Sequence, residues 1–253
     1  MDNFEPFSTG LIWRNHFRAS LQEGLEAPIR DRWVDSALAD SLRQFQLGES
    51  SDGVHLLRYA RAFGARTGDP WLGEAMALFV QEENRHAHWL GEFLRAQGEP
   101  LLKRHWVDSV FRFIRKPLGF GPMVAVLVCA EIIAVPYYTA VRRASRSEWL
   151  RAICWRLLRD EAHHLRFQAA NLGAAWRRFL PLFRFGHRAL LLVTCAVVWR
   201  EHGAVLRAGG FGFGGFVCRC LDLLDEVHAG AEASRRSYGA CSKEACVLVR
   251  EEA

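Results

Sequence analysis

Two Glu-x-x-His motifs constrain the fold more than any other feature, because each interrupts a run of apolar residues at helical spacing. Glu83 and His86 belong to one such run, and Glu161 and His164 belong to another. Residues three apart lie on one face of a helix, so each motif directs a carboxylate and an imidazole toward the core. Unpaired charge is costly there, and both helices must therefore face groups that compensate it.

Helix signals are plentiful along the chain, whereas strand signals are nearly absent. Helical periodicity predicts a first helix from Asp31 through Phe63. Gly68 stops this segment, Asp69 caps the next helix, and Pro70 takes its first turn. The second helix is predicted to run to about Gln97.

A long connection separates this helix pair from a second one. Residues 98–119 form the connection and include a short amphipathic piece around Trp106–Ile114. An apolar third helix spans about Gly121–Arg143. Ser145 and Glu148 have the spacing of a capping box, which predicts the start of a fourth helix.

The C-terminal part continues the helical pattern. The fourth helix is predicted to reach about Phe179, and an apolar helix follows at about His187–Leu206. A Gly-rich loop at Gly209–Gly215, one more short helix and a polar tail complete the chain. We therefore expect an all-α protein. Residues 1–180 would form a four-helix bundle with one long crossover, and residues 181–253 a helical appendage in the same domain or packed on it.

Two further glutamates interrupt apolar helices. Glu49 lies in the first predicted helix, and Glu131 lies at the centre of the third. At 1.5 Å per residue, these two acids and the two motif glutamates all lie about 20–25 Å from the hairpin ends of their helices. Antiparallel packing would bring them to one level. Four carboxylates and two imidazoles at one depth of a bundle describe a two-metal site.

The types of ligand narrow the choice of metal. Carboxylates are hard, charged ligands that can bridge two ions, and imidazole suits iron, manganese or zinc. Four glutamates and two neutral histidines carry four negative charges, which balance two divalent cations. Without metal the buried glutamates would repel one another and some would take up protons. For Glu131 taken alone, the alternative is a buried acid paired with an arginine.

The helix order Glu, Glu-x-x-His, Glu, Glu-x-x-His resembles that of the ferritin-like di-iron carboxylate superfamily. Within it, EENRH at Glu82–His86 and DEAHH at Asp160–His164 are most similar to the two motifs of the soluble acyl-carrier-protein desaturases. The likeness covers roughly Asp35–Ala175. It implies a ferritin-like bundle, two iron ions, with an Fe/Mn pair as the alternative, and O2 as co-substrate.

The resemblance also assigns roles to residues. The implied metal ligands, which would also form the catalytic centre, are Glu49, Glu83, His86, Glu131, Glu161 and His164. Glu83 and Glu161 are implied to bridge the two ions. Asp160 matches the position that orients a ligand histidine, which implies a hydrogen bond with His86. The alternative for Asp160 is a solvated helix acid.

Residues near the predicted ligands are harder to assign. Tyr138 lies seven residues after Glu131 on the same helix face, where it is either a core tyrosine beside the ligands or a redox residue. His88 and His163 point away from their motif faces and are expected at the surface or behind the ligands. Arg85 matches the family motif, but the sequence gives it no role.

Three functions are compatible with this pattern. The first is an O2-dependent di-iron oxidoreductase, a desaturase or monooxygenase, that acts on a small or carrier-bound apolar substrate and can take electrons from a donor protein. The second is a ferritin-type protein whose substrate is Fe(II). The third is a metal-stabilised helical module that presents residues 187–229 to a partner or a membrane. Apolar residues beside the predicted ligands favour the first, because they suit an aliphatic substrate and exclude water.

The composition of the chain limits the binding partners and the cellular compartment that we expect for the protein. The net charge is +5, but no basic run is dense enough to indicate nucleic-acid binding. Seven cysteines predict free thiols in a reducing compartment, and residues 1–10 lack the apolar region of a signal peptide, so a cytoplasmic protein is expected. The pairs Cys218-x-Cys220 and Cys241-x4-Cys246 are interpreted as bystanders, with a thiolate metal site as the alternative.

Two apolar stretches are candidates for membrane-spanning helices. Gly121–Val141 is long enough to span a bilayer, yet Glu131 lies at its centre. A buried helix explains the same pattern, so a membrane is not required. Ala189–Trp199 is too short to span. The apolar segment at 187–206 and its Gly-rich loop could instead cover a substrate entrance, or the same surface could form a homodimer.

Overall fold

The computed structural model describes residues 9–25, 30–31, 36–50, 53–104, 119–176 and 181–251, with side chains described as far as Arg235, except for that of Pro181. Throughout these ranges the regular structure is α-helical, which confirms the predicted all-α class. The helices are α1 (Thr9–Gln22), α2 (Ser36–Glu49), α3 (Val54–Thr67), α4 (Leu72–Ala96), α5 (Phe120–Ala144), α6 (Glu148–Ala175), α7 (Pro181–Ala208) and α8 (Phe213–Glu251). The amphipathic piece predicted around Trp106–Ile114 lies outside the described residues.

The predicted first helix, Asp31 through Phe63, is wrong as a single element. Helix α2 ends at Glu49, and α3 begins at Val54 after Gly53 adopts a left-handed φ of 63°. The intervening sequence GESSDG explains the break, because serine, aspartate and glycine favour turns over helix interiors. As a result, Glu49 is the last residue of a helix rather than a mid-helix residue.

The hairpin between α3 and α4 forms where the sequence predicts it. Gly68 ends α3 in the left-handed conformation at φ 76°. Asp69, however, does not begin α4, which starts three residues later. Its Oδ1 accepts a hydrogen bond from the Trp71 N–H at 3.2 Å, and its Oδ2 accepts one from the Gly10 N–H at 2.9 Å. Asp69 therefore ties the first turn of α1 to this hairpin.

The second hairpin joins α5, whose bounds agree with the prediction, to α6. The N-cap of α6 is Ser147 rather than the predicted Ser145, since the Ser147 Oγ accepts from the Leu150 N–H at 3.0 Å. At its other end α6 stops at Ala175, earlier than the predicted Phe179. Here Trp176 leaves the helical conformation and its ring stacks on Phe183 of α7, with 4.2 Å between centroids.

The C-terminal prediction of a short helix and a polar tail is wrong. After a tight turn at residues 209–212, α8 continues for 39 residues, because the tail is rich in alanine, glutamate and arginine, which favour helix. Gly209 brings the turn against α5, where an added Cβ would lie 2.3 Å from the Ala140 Cα. Helices α7 and α8 pack on α5 and α6, so the predicted appendage shares contacts with the rest of the chain.

The hydrophobic core falls into two clusters along the helices. One contains Phe79 and Ile132, together with Leu191 and Phe216 from the C-terminal helices. The other contains residues further along the same central helices, including Leu90, Phe93, Tyr138 and Leu157. The motif residues of α4 and α6 lie between the two clusters in sequence. A buried polar layer therefore divides the apolar core.

Among the described residues, two helices are long and apolar enough to cross a membrane: Phe120–Ala144 and Leu182–Ala208. In the first, 83% of the most apolar window is buried inside the protein, which fits the predicted core helix. In the second the share is 44%, and Leu182, Phe185 and Val193 are exposed.

Candidate metal centre

The two Glu-x-x-His motifs meet between α4 and α6. The potential ligand atoms of Glu83, His86, Glu161 and His164 all lie within 4.8 Å of one another. The His164 Nδ1 lies 2.9 Å from the Glu83 Oε1 and 3.4 Å from the Glu161 Oε2. The i,i+3 spacing thus places one carboxylate and one imidazole from each helix at a common point, where the group can hold a metal ion.

The two other predicted glutamates reach the same point. The Glu49 Oε2 lies 4.0 Å from the His86 Nδ1, and the Glu131 Oε2 lies 3.5 Å from the His164 Nδ1. Both glutamates are buried, with 8% and 4% of their surface exposed. The structure therefore brings all six predicted ligands together, with the glutamates of α2 and α5 beside different histidines.

The ring nitrogen of each histidine that faces away from the cluster forms a hydrogen bond with an acid of the opposite motif. The His86 Nε2 donates to the Asp160 Oδ2 at 3.2 Å, and the His164 Nε2 donates to the Glu82 Oε2 at 2.9 Å. The hydrogen bond implied for Asp160 is therefore present, and Glu82 has the matching one. These hydrogen bonds favour the tautomer with the proton on Nε2, in which each Nδ1 faces the cluster and is free to bind a metal ion.

Two arginines support these acids. Arg85 donates to the Glu82 Oε1 at 2.6 Å and to the Asp160 Oδ2 at 3.2 Å. Arg156 donates through Nε to the same Asp160 oxygen at 2.9 Å. Two arginines balance two acids, so this outer layer is neutral. The outer arginines therefore do not compensate the charge of the four inner glutamates.

Helix α1 closes the outer side of the centre, in a stretch for which no helix is predicted from the sequence. The Ser20 Oγ donates to Glu82 and accepts from the Arg156 Nη2 at 2.9 Å. The Phe17 ring lies 6.0 Å from the His164 ring between centroids. Contacts between residues more than 60 positions apart leave no local pattern, which is why this layer was missed. The i,i+3 and i,i+4 spacings of Glu82–Arg85 and Arg156–Asp160 were the available signals.

Tyr138 contacts a ligand carboxylate directly, since its hydroxyl donates to the Glu49 Oε1. Burial raises the pKa of Tyr138 well above its usual range, and the Glu49 charge raises it further, so the hydroxyl stays protonated. A carboxylate at a helix C-terminus is unfavourable because the helix dipole is negative there. The Tyr138 hydrogen bond offsets part of this cost, and a cation beside Glu49 would offset more.

Mutual repulsion dominates the electrostatics of the inner residues. Burial raises the pKa of Glu83 and of Glu161, and the nearby Glu131 charge raises both further. For His164 burial would lower the pKa, but the surrounding carboxylates, Glu83 first, raise it well above the usual range. Both responses are those of a site with an excess of buried negative charge. A bound cation would relieve it.

The inward-facing atoms fit a metal. Among the buried atoms without a hydrogen-bond partner in the described part of the chain, five belong to this centre: Glu83 Oε1, His86 Nδ1, Glu161 Oε1 and Oε2, and His164 Nδ1. Buried polar atoms are normally paired, so their convergence on one point needs a compensating group. Oxygen and imidazole donors with four negative charges suit two divalent ions such as iron or manganese.

Neighbouring histidines and cysteines do not contribute. His88 is exposed and lies 3.8 Å from Glu92, while the His163 ring packs on His16, with 4.3 Å between centroids. Both point away from the cluster, as predicted. Cys218 is exposed and Cys220 is buried, so the C-x-C pair faces two environments. The side chains of the second cysteine pair lie outside the described residues.

Comparison of the chain with known protein families, with curated proteins and with solved structures finds no match. The function of the protein is therefore inferred from the geometry of the metal centre.

Proposed function

We propose that this protein is an O2-dependent non-haem di-iron oxidoreductase with a ferritin-like bundle formed by α2 to α6. The observation that carries the proposal is the convergence of four buried glutamates with two histidines, each histidine oriented by an acid. This is the ligand set of di-iron carboxylate bundles, with one Glu-x-x-His motif from each of two helices. The same donors accommodate an Fe/Mn pair.

When bound, two iron ions would supply the electrons for O2 reduction, which is the chemistry we assign to the centre. The residues of the chain hold and orient the ligands. Glu82 and Asp160 keep the Nδ1 atoms of the histidines available, and Arg85 and Arg156 keep those acids ionised. Tyr138 holds a proton at its hydroxyl, in contact with Glu49. A donor protein would return the electrons after each turnover.

The surroundings support an apolar organic substrate. The Phe79 ring lies 4.9 Å from the His164 ring, and Phe17 and Phe167 pack on the same side. Apolar clusters lie on both sides of the polar layer. Such walls exclude water from a reactive centre and match an aliphatic chain, either of a small molecule or of a carrier-bound group. Iron storage would instead need polar routes for hydrated ions.

Replacement of Glu131 by alanine tests the proposal, because Glu131 is buried beside His164 and belongs to no local motif. We expect anaerobic Fe(II) titration to give two ions per chain in the wild type and fewer in Glu131→Ala. Glu92→Ala, a surface change on the motif helix, is the control and should bind two. Circular dichroism checks that each variant remains helical. Two ions bound by Glu131→Ala would contradict the assignment.

O2 consumption then separates the candidate functions. The iron-loaded wild type should consume O2 and stop at two ions per chain. Continued uptake of tens of irons under air would indicate a storage protein. An iron-loaded protein that consumes no O2 would be a metal-stabilised helical module. Either result would overturn the oxidoreductase proposal.

A further inference from the structure

An arginine-lined cleft opens on the outer face of α6, beside the end of α1. Its volume is about 820 Å³. Ala152 and Leu25 contribute apolar surface, and Trp155, which is 52% exposed, stands at its wall. The charged residues that line it are Glu23, Arg142, Glu148, Arg151, Arg156 and Arg159. We refer to it as the arginine cleft.

Positive charge predominates in the arginine cleft, because four arginines face two glutamates. Glu23 pairs with Arg156 at 2.7 Å and with Arg159. Arg142 and Arg151 form no ion pair with any residue that the structure describes. A concave surface with unneutralised guanidinium groups attracts anions, and guanidinium forks match carboxylate and phosphate oxygens.

Glu23 shows which chemistry the cleft accepts. It follows the last turn of α1, its side chain is 50% exposed, and its carboxylate sits between two guanidinium groups. An exposed acid of this kind is a weak internal occupant, because its ion pairs are screened by water. An external anion can replace it at the same arginines and can reach Arg142 and Arg151 as well.

One lining residue connects the arginine cleft with the metal centre. Arg156 is only 4% exposed, and it donates to Glu23 on the cleft side and to Asp160 on the inner side. Asp160 in turn holds the ligand His86. Arg156 therefore lies two hydrogen bonds away from a ligand histidine, and an anion bound to it lies three away.

We propose that the arginine cleft binds the phosphate or carboxylate group of a small organic molecule whose remaining part packs against Trp155. Arg142, Arg151, Arg156 and Arg159 bind the anionic group in place of Glu23. The site requires no metal. It can therefore be tested on the metal-free protein, where a failure of the oxidoreductase proposal has no effect.

Calorimetric titration of the metal-free protein with inorganic phosphate and with phenyl phosphate tests this site. We expect both to bind, phenyl phosphate several-fold more tightly. The double variant Arg142→Gln/Arg151→Gln should weaken both by at least about tenfold, since charge-assisted contacts of this kind exceed 1.4 kcal/mol. Arg188→Gln is the matched control, because Arg188 is a surface arginine paired with Asp225 on distant helices.

Two further variants keep the test decisive. Glu23→Gln should strengthen phosphate binding, because it removes the internal competitor without touching the core. Trp155→Ala should abolish the advantage of phenyl phosphate and leave the affinity for inorganic phosphate unchanged. No binding of either probe at 10 mM (about 100-fold above a 0.1 mM site), or equal affinities in the wild type and the double arginine variant, would overturn the site. Equal affinity for the two phosphates would show that the ligand is the free anion and overturn the role of Trp155.

Discussion

At the scale of single residues, the inner ligands and the supporting Asp160 could be predicted, whereas the other supporting residues could not. Glu83 and His86 interrupt an apolar stripe, and burying charge is costly enough for that interruption to carry meaning. Glu82 stands next to Glu83 and interrupts nothing, yet it is fully buried against His164. Apart from Arg85, three residues along the same helix, its partners Ser20 and His164 lie 62 and 82 residues away along the chain. Only the folded chain defines its role.

The first prediction concerns this acid. Glu82→Gln removes the charge that keeps the His164 proton on Nε2, so we expect divalent-metal affinity to fall about 10- to 100-fold. Titration with Co(II), followed by its visible absorbance, measures the change. Glu92→Gln on the same helix is the control and should retain wild-type affinity. An unchanged affinity in Glu82→Gln would show that His164 needs no orienting acid.

At the scale of elements, the sequence located the end of α3 and both ends of α4 and α5 to within about two residues, and it misjudged ends with competing signals nearby. No competing signal lies near Gly68, and α3 ends there as predicted. The GESSDG stretch lies inside a longer apolar periodicity, and its turn-forming residues break the helix in spite of that periodicity. Ser145 and Ser147 both suit an N-cap, and only the Leu150 N–H position distinguishes them. Local propensity is a weak guide where two signals overlap.

Two glycines at the α2–α3 break should respond oppositely to substitution. Gly53 has a φ of 63°, and an added Cβ would lie 2.9 Å from a Val80 methyl, so we expect Gly53→Ala to destabilise by about 1–2 kcal/mol. Gly48 lies within α2 with nothing within 4 Å of an added Cβ. Gly48→Ala should stabilise by about 0.5–1 kcal/mol. Urea unfolding of both variants measures the two free energies. The same sign for both would contradict the break at Gly53.

At the scale of the whole molecule, the sequence predicted an all-helical chain but left the place of the C-terminal helices open. A buried histidine pair joins them to α5. The His187 Nε2 donates to the Ala125 carbonyl at 2.9 Å, and its Nδ1 accepts from the His228 Nε2 at 3.0 Å. With these roles the His187 ring is neutral, and burial favours the neutral form of both rings. Nothing in the spacing of His187 and His228, 41 residues apart, indicates that they meet.

This pair should make the protein sensitive to acid. Burial lowers the pKa of His187 to about 4 and that of His228 to about 4, in the latter case with help from the neighbouring His187, Arg184 and Arg188 and against Asp225. The unfolded chain takes up these protons near pH 6.5, so their contribution to stability is complete above that pH and is lost as pH falls toward 4.

The free energy of unfolding, measured in urea between pH 7.5 and 4, should therefore decline less steeply in His187→Gln/His228→Gln than in the wild type. The difference should approach two protons, or about 2.7 kcal/mol per pH unit. His88→Gln removes an exposed histidine and should leave the slope unchanged. Equal slopes in the double variant and the wild type would contradict a buried neutral pair.

Each histidine is oriented by an acid from the opposite motif, and this arrangement affects how the chain folds. Helical proteins usually fold fast because most of their contacts are local in sequence. Here the two hydrogen bonds that orient the histidines join residues 74 and 82 positions apart. A shift of α4 along α6 by one residue, about 1.5 Å, would break both bonds together. Metal capture must therefore wait until the two halves of the chain have docked in register, and the helices will form well before the centre can bind.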